Sequence, residues 1–155
     1  MKWPFGGKKK MVPIDPVVLT DEEQQECQAM LHSLTQAEGG VVHIREELAD
    51  SFHRSIIALC MMGRAERFLI LSNSKPEYGE RACQAAAKAS AVFPLSIYFY
   101  DFACTLQKVG KSEEARLMFT EFLRRLGTEA LDPVMQSTLN QRDVERAAQH
   151  ARQVI

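Results

Sequence analysis

The sequence predicts an all-α protein, and three observations support that prediction. From residue 20 onward, apolar and small residues recur every three or four positions, as on one face of an α-helix. Gly and Pro interrupt this pattern where helices would end. No stretch alternates apolar and polar residues over the length of a strand. The clearest stretch, residues 96–126, reads as two amphipathic helices joined at Gly110, a pair that cannot bury its apolar face without neighbours.

Residues 1–19 are predicted to form a flexible basic and aromatic arm, ahead of a single helical domain over residues 20–155. Closely spaced Gly and Pro oppose a stable helix in the arm. Trp3 and Phe5 stand beside Lys8, Lys9 and Lys10, a combination that favours weak, salt-sensitive contact with an anionic membrane. A solubilising tail is the alternative interpretation of the same residues.

The first two helices are predicted on either side of Gly39-Gly40. Thr20 with Glu23 three residues later forms a capping box, and an apolar face follows at Cys27, Met30, Leu31 and Leu34. A second apolar face begins near residue 41 and continues through Phe52 and Leu59. Gly63 would either end this helix or weaken it, so residues 41–73 fit one kinked helix or two short ones.

The C-terminal half contains the remaining elements. Residues 77–92 are rich in alanine, which favours a closely packed helix ending before Pro94. The pair over 96–126 follows, with Gly127 as its C-cap. Asp132-Pro133 would open a short helical turn. Asn140 and Asp143 precede a last helix whose polar face is typical of a helix that caps a stack.

Composition and motifs exclude several function classes. A net charge of −1 argues against a nucleic-acid binder. The four cysteines are scattered without zinc-site spacing, which indicates reduced thiols in a cytoplasmic protein. The four histidines are not spaced as helical metal ligands, and no nucleotide-binding or nucleophile motif occurs. No metal, cofactor or enzyme activity is therefore expected. An enzyme with a Cys–His site assembled by folding remains a less favoured alternative.

Residues 96–126 resemble a tetratricopeptide repeat. They supply Phe99, Phe102, Ala103 and Leu106 in the first helix, and Ala115 followed by Phe119 in the second. A weaker unit over residues 63–95, with its first helix at 64–74, matches at Ala82, Ala86, Ala89 and Pro94. The resemblance implies antiparallel helix pairs stacked as a short right-handed superhelix with a C-terminal capping helix.

The resemblance also implies a non-catalytic adaptor, scaffold or chaperone-like module, because the first helices of such repeats line a concave groove. That groove binds a peptide or a helix of another protein. Its residues here would be Ile97, Tyr100, Asp101, Cys104, Gln107, Lys108, Glu66, Arg67, Ile70 and Asn73. The alternatives are a peripheral membrane-assembly component recruited by the basic arm, and a homodimer formed through an uncovered end of the stack.

Overall fold

The protein is described from a computed structural model, which covers residues 19–35 and 46–155, without the side chains of residues 34 and 35. Within those ranges the chain is all-α, as predicted, and contains no strand. The helices are α1 (Asp21–Thr35), α2 (Ala49–Leu71), α3 (Glu77–Val92), α4 (Ser96–Val109), α5 (Ser112–Arg125), α6 (Pro133–Asn140) and α7 (Val144–Val154), and a 3₁₀ turn (Glu46–Leu48) precedes α2.

Local capping chemistry sets several of the helix ends. The predicted capping box is confirmed: the Thr20 N–H donates to Glu23 Oε1 (2.9 Å), and the Glu23 N–H donates to Thr20 Oγ1 (3.1 Å). The Asp132 carboxylate accepts from the Met135 N–H at the start of α6. Gly110 ends α4 with φ +93°, a left-handed conformation that favours glycine.

Helix α2 answers the question that the sequence left open. It runs unbroken through Gly63, so residues 49–71 form one helix and the segment 64–74 is mostly its C-terminal part. An interior glycine costs a helix about 1 kcal/mol. The buried neighbours Met61 and Ala65 offset that cost by packing into the core. Gly39-Gly40 and the arm through residue 18 lie outside the described residues.

Successive helices from α2 to α5 pack antiparallel around one core. Arg54 of α2 reaches the carbonyl of Val92 at the far end of α3. The start of α3 contacts the end of α4 at Gly79 and Val109. A Cβ atom added to Gly79 would lie only 3.2 Å from Cγ1 of Val109. The largest core side chains with no exposed surface are Phe93, Phe99, Phe119 and Phe122. The small face of α3, with seven buried residues of alanine or glycine, permits this approach.

The last two helices complete the same body. Ala147, Ala148 and Ala151 of α7 are buried, and α7 packs against α5 and α4. The short helix α6 contacts α2 instead. Because of that contact, α2, α4 and α6 lie together on one side of the molecule. No helix in the described ranges is both long and apolar enough to cross a bilayer.

A candidate protein-binding groove

A groove runs between α2 and α4. Its inner part has a volume of about 340 Å³ and continues into an outer part of about 590 Å³. From here on, "the groove" means both parts. The lining residues are Leu59, Met62, Glu66, Leu69, Ile70, Ser72 and Asn73 from α2 and its end, Tyr98, Asp101, Cys104, Thr105 and Lys108 from α4, and Thr138, Gln141 and Arg142 from α6 and the following turn.

Six of the ten predicted groove residues line it. Four of these, Glu66, Asp101, Cys104 and Lys108, border the inner part. Ile70 and Asn73 border the outer part, together with Glu66 and Lys108. Because α3 packs antiparallel to both α2 and α4, these two helices run in the same direction, and Leu69 and Lys108 border both parts of the groove. Of the predicted α4 residues from Asp101 onward, Asp101, Cys104 and Lys108 border the groove.

The other four predicted residues lie elsewhere. Ile97 is 1% exposed and belongs to the core, so its assignment to the groove is wrong. It shares the face of Asp101 but lies one turn earlier, where it is part of the buried core. Gln107 is exposed beside the groove without lining it. Arg67 pairs with Glu26 of α1, away from the groove.

Tyr100 was expected in the groove and instead joins three helices. Its ring packs 5.2 Å from that of Phe122 and 5.7 Å from that of Phe119, both on α5. Its hydroxyl lies 2.7 Å from Nδ1 of His150 on α7. Burial raises the pKa of the Tyr100 phenol, so this group stays neutral. Tyr100 therefore holds α7 to the rest of the protein.

The groove has an apolar floor and polar groups at its edges. Leu59 is 50% exposed and Ile70 is 69% exposed, which are high values for large apolar side chains. Glu66 and Lys108 lie on facing walls and have no ion-pair partner within the described part of the chain. The Tyr98 hydroxyl likewise makes no hydrogen bond to any described residue. These three polar groups remain available to a bound molecule.

One ion pair forms the wall at the α6 end. Arg142 Nη2 lies 2.6 Å from Asp101 Oδ1, and Nη1 lies 2.8 Å from Oδ2, so the guanidinium holds the carboxylate through two parallel hydrogen bonds. The side chains are 37% and 18% exposed respectively. This pair fixes the turn between α6 and α7 to α4.

Burial disfavours ionisation of all four cysteine thiols. Burial raises the pKa of Cys27, Cys83 and Cys104, and it raises that of Cys60 to about 12. A raised pKa disfavours the thiolate, which is the nucleophilic form. Cys104, the half-buried one, lies in the groove beside apolar side chains. Within the described residues, no three His, Cys, Asp or Glu side chains are grouped so that they could hold a metal ion.

A second cleft, of about 420 Å³, lies between α1, α2 and α3. Its charges are largely satisfied within the protein. Lys88 Nζ lies 2.7 Å from Glu23 Oε1, and Arg64 Nη1 lies 2.8 Å from Glu26 Oε1. The Arg81 guanidinium stacks over Phe68. This cleft secures α1 to the rest of the molecule and offers a ligand fewer free groups than the groove does.

On the α2 side of the groove, Glu66, Ile70 and Asn73 are predicted from the sequence, whereas Leu59, Met62 and Leu69 are not. Leu59, Met62, Glu66, Leu69 and Asn73 are spaced by three and four residues, the signal of a single helical face. This spacing can be recognised as a single helical face only when α2 is treated as one helix that continues through Gly63. The residues from α6 had no such signal, because their place depends on how a short helix folds back against α2.

Comparisons with known proteins add no relative. No protein-family model, no curated protein sequence and no solved structure matches this chain.

Proposed function

We propose that this protein is a non-catalytic interaction module that binds an amphipathic helix of another protein in the groove. We also propose that its helix pairs α2–α3 and α4–α5 form a short right-handed superhelix like that of tetratricopeptide repeats, with α7 packed against α5 as the cap. The pairs follow one another along the chain, and the first helix of each contributes to the groove. That arrangement is the one the sequence resemblance implies.

The observation that carries the function is the exposed apolar stripe on α2. Leu59 and Ile70 point away from the core at its two ends, with Met62 and Leu69 between them. From Leu59 to Ile70 the helix rises about 16 Å, which is about three helical turns. A partner helix of that length matches the stripe with apolar residues at i, i+3 or i+4, and i+7.

The unpaired groups at the edges define the partner further. A basic residue of the partner helix would face Glu66, and an acidic one would face Lys108. Complementary charges of this kind set orientation and specificity more than affinity. The Tyr98 hydroxyl offers one hydrogen bond at the inner end.

Affinity capture with matched variants tests this function. The bait proteins are the wild type, a Leu59→Glu, Ile70→Glu double variant, and a Leu117→Glu variant. Leu117 is 65% exposed on α5 and lies outside the groove, so its replacement controls for added charge and lost apolar surface. All three replaced side chains are exposed, and circular dichroism checks that the baits are folded.

We expect a protein that the wild type and the Leu117→Glu variant capture equally and that the groove variant loses. Capture of the same proteins in equal amounts by all three baits would contradict a binding role for the groove.

A further inference from the structure

We infer that residues 1–18 of this same chain bind in the groove and compete there with the partner helix. The inference rests on the proposed function for its biological meaning, because a segment that covers the groove would regulate partner binding. The physical basis of the inference does not depend on the proposed function. It consists of the position of Leu19, where the described chain begins, the length and composition of residues 1–18, and the exposed apolar surface of the groove.

The described chain begins close to the groove. Leu19 packs against the core at the start of α1. The next residue, Thr20, shares a cleft with Phe68 in the C-terminal half of α2. The outer part of the groove is lined by Leu69, Ile70 and Asn73 at the same level of α2, on its opposite side. The preceding segment therefore needs only to pass the end of α2 to enter the groove.

The segment is long enough for that path. An α-helix with its side chains is about 10–12 Å wide. The stretch from Phe5 to Leu19 spans about 46 Å when extended, at about 3.3 Å per residue. That length covers the passage around the end of α2 and leaves enough chain to place Trp3 and Phe5 along the groove as far as Leu59.

The composition of the segment complements the groove. Trp3 and Phe5 are large apolar side chains, and the groove exposes Leu59 and Ile70. Lys8, Lys9 and Lys10 follow, nearer to the point of attachment, and Glu66 is an acidic wall residue without an ion-pair partner among the described residues. Binding in cis is further favoured because attachment to the same chain gives the segment a high effective concentration.

Trp3 is the protein's single tryptophan and therefore reports on the segment directly. The experiment measures Trp3 emission and its quenching by acrylamide in the purified full-length chain, without any partner. The variants are Ile70→Glu and Leu59→Glu in the groove, with Leu117→Glu as the control on α5. The two groove side chains are exposed, so each variant is expected to fold, and far-ultraviolet circular dichroism verifies this.

We expect blue-shifted emission and weak quenching in the wild type and in Leu117→Glu. Either groove variant is expected to shift the emission to longer wavelength and to increase quenching severalfold. The wild-type signal should not change on dilution.

Three results would overturn the inference. Quenching as strong in the native wild type as in urea would mean that Trp3 is free in solution. Shielding that survives both groove substitutions would place Trp3 on another surface. Shielding lost on dilution would mean that the segment binds a second copy of the chain. None of these results bears on capture of a partner, so the inference can fail while the proposed function stands.

Discussion

The Asp101–Arg142 pair allows a quantitative test of how the groove wall is held. The pair joins α4 to the turn before α7 through two hydrogen bonds of 2.6 and 2.8 Å. We would replace Asp101 by Asn, Arg142 by Met, and then both, since the three variants and the wild type form a double-mutant cycle. The cycle isolates the coupling free energy between the two side chains.

The burial of the pair sets the expected magnitude. Fully exposed pairs contribute about 0.2–1 kcal/mol, while breaking a buried pair costs about 3–5 kcal/mol. Asp101 is 18% exposed, but Arg142 is 37% exposed, so solvent screens part of the attraction. With the two-bond geometry, we expect a coupling of about 1 kcal/mol. Arg142→Met alone should cost about 1–2 kcal/mol, because Asp101 then loses its partner.

Urea unfolding followed by circular dichroism measures these free energies, at low salt and again at high salt. Glu113 and Arg116 serve as the control pair, since their side chains are 89% and 59% exposed and their charged atoms lie 3.8 Å apart. Their coupling should be about 0.3 kcal/mol or less. A coupling for Asp101–Arg142 as small as that of the control pair would refute the view that this ion pair holds the wall.

Three further predictions concern local features of the fold. Gly110→Ala should lower the free energy of unfolding in urea by about 1 kcal/mol, because Gly110 has φ +93° and alanine is strained in that conformation. Nothing lies within 4 Å of the added Cβ, so backbone strain is the only contribution. An unchanged urea midpoint would contradict this prediction. Burial alone would raise the pKa of Glu23, but the hydrogen bond from Lys88 and a backbone hydrogen bond more than offset it and lower the pKa below its ordinary 4.5. The stabilisation from Glu23 is therefore complete above that pH and is lost as the pH falls below it, so Glu23→Gln should flatten the acid limb of a stability–pH profile. In native protein, Cys104 should react with an aromatic disulfide reagent before the three buried cysteines do. Mass spectrometry of the labelled peptides shows the order of reaction. Labelling of Cys60 before Cys104 would refute the packing of α1 on α2.

Elements governed by neighbouring residues could be predicted from the sequence. The Thr20–Glu23 capping box, the turn at Gly110 and the start of α6 at Asp132-Pro133 each depend on hydrogen bonds or backbone angles within a few residues. Helical spacing likewise places Asp101, Cys104 and Lys108 on one face of α4, although it does not exclude Gln107, which lies beside the groove.

Features governed by long-range packing could not be predicted. The local sequence leaves open whether Gly63 ends the helix or only weakens it, and the buried residues on both sides of Gly63 keep α2 continuous. Ile97 and Tyr100 fit the groove by spacing, yet the first is enclosed in the core and the second turns toward α5 and α7. The fold of α6 back against α2 decides the shape of the groove, and no local pattern encodes that contact.

Site-specific photo-crosslinking tests the central claim most directly. A photoreactive amino acid would replace Ile70 in the groove or Leu117 on α5, both of which are exposed. Irradiation in extract of the source cells would be followed by mass spectrometry of the products. We predict that the probe at position 70 labels a defined polypeptide, either a partner helix or residues 1–18 of the chain, and that the probe at position 117 does not. Equal labelling of the same products from both positions would contradict the assignment of the groove as the binding surface.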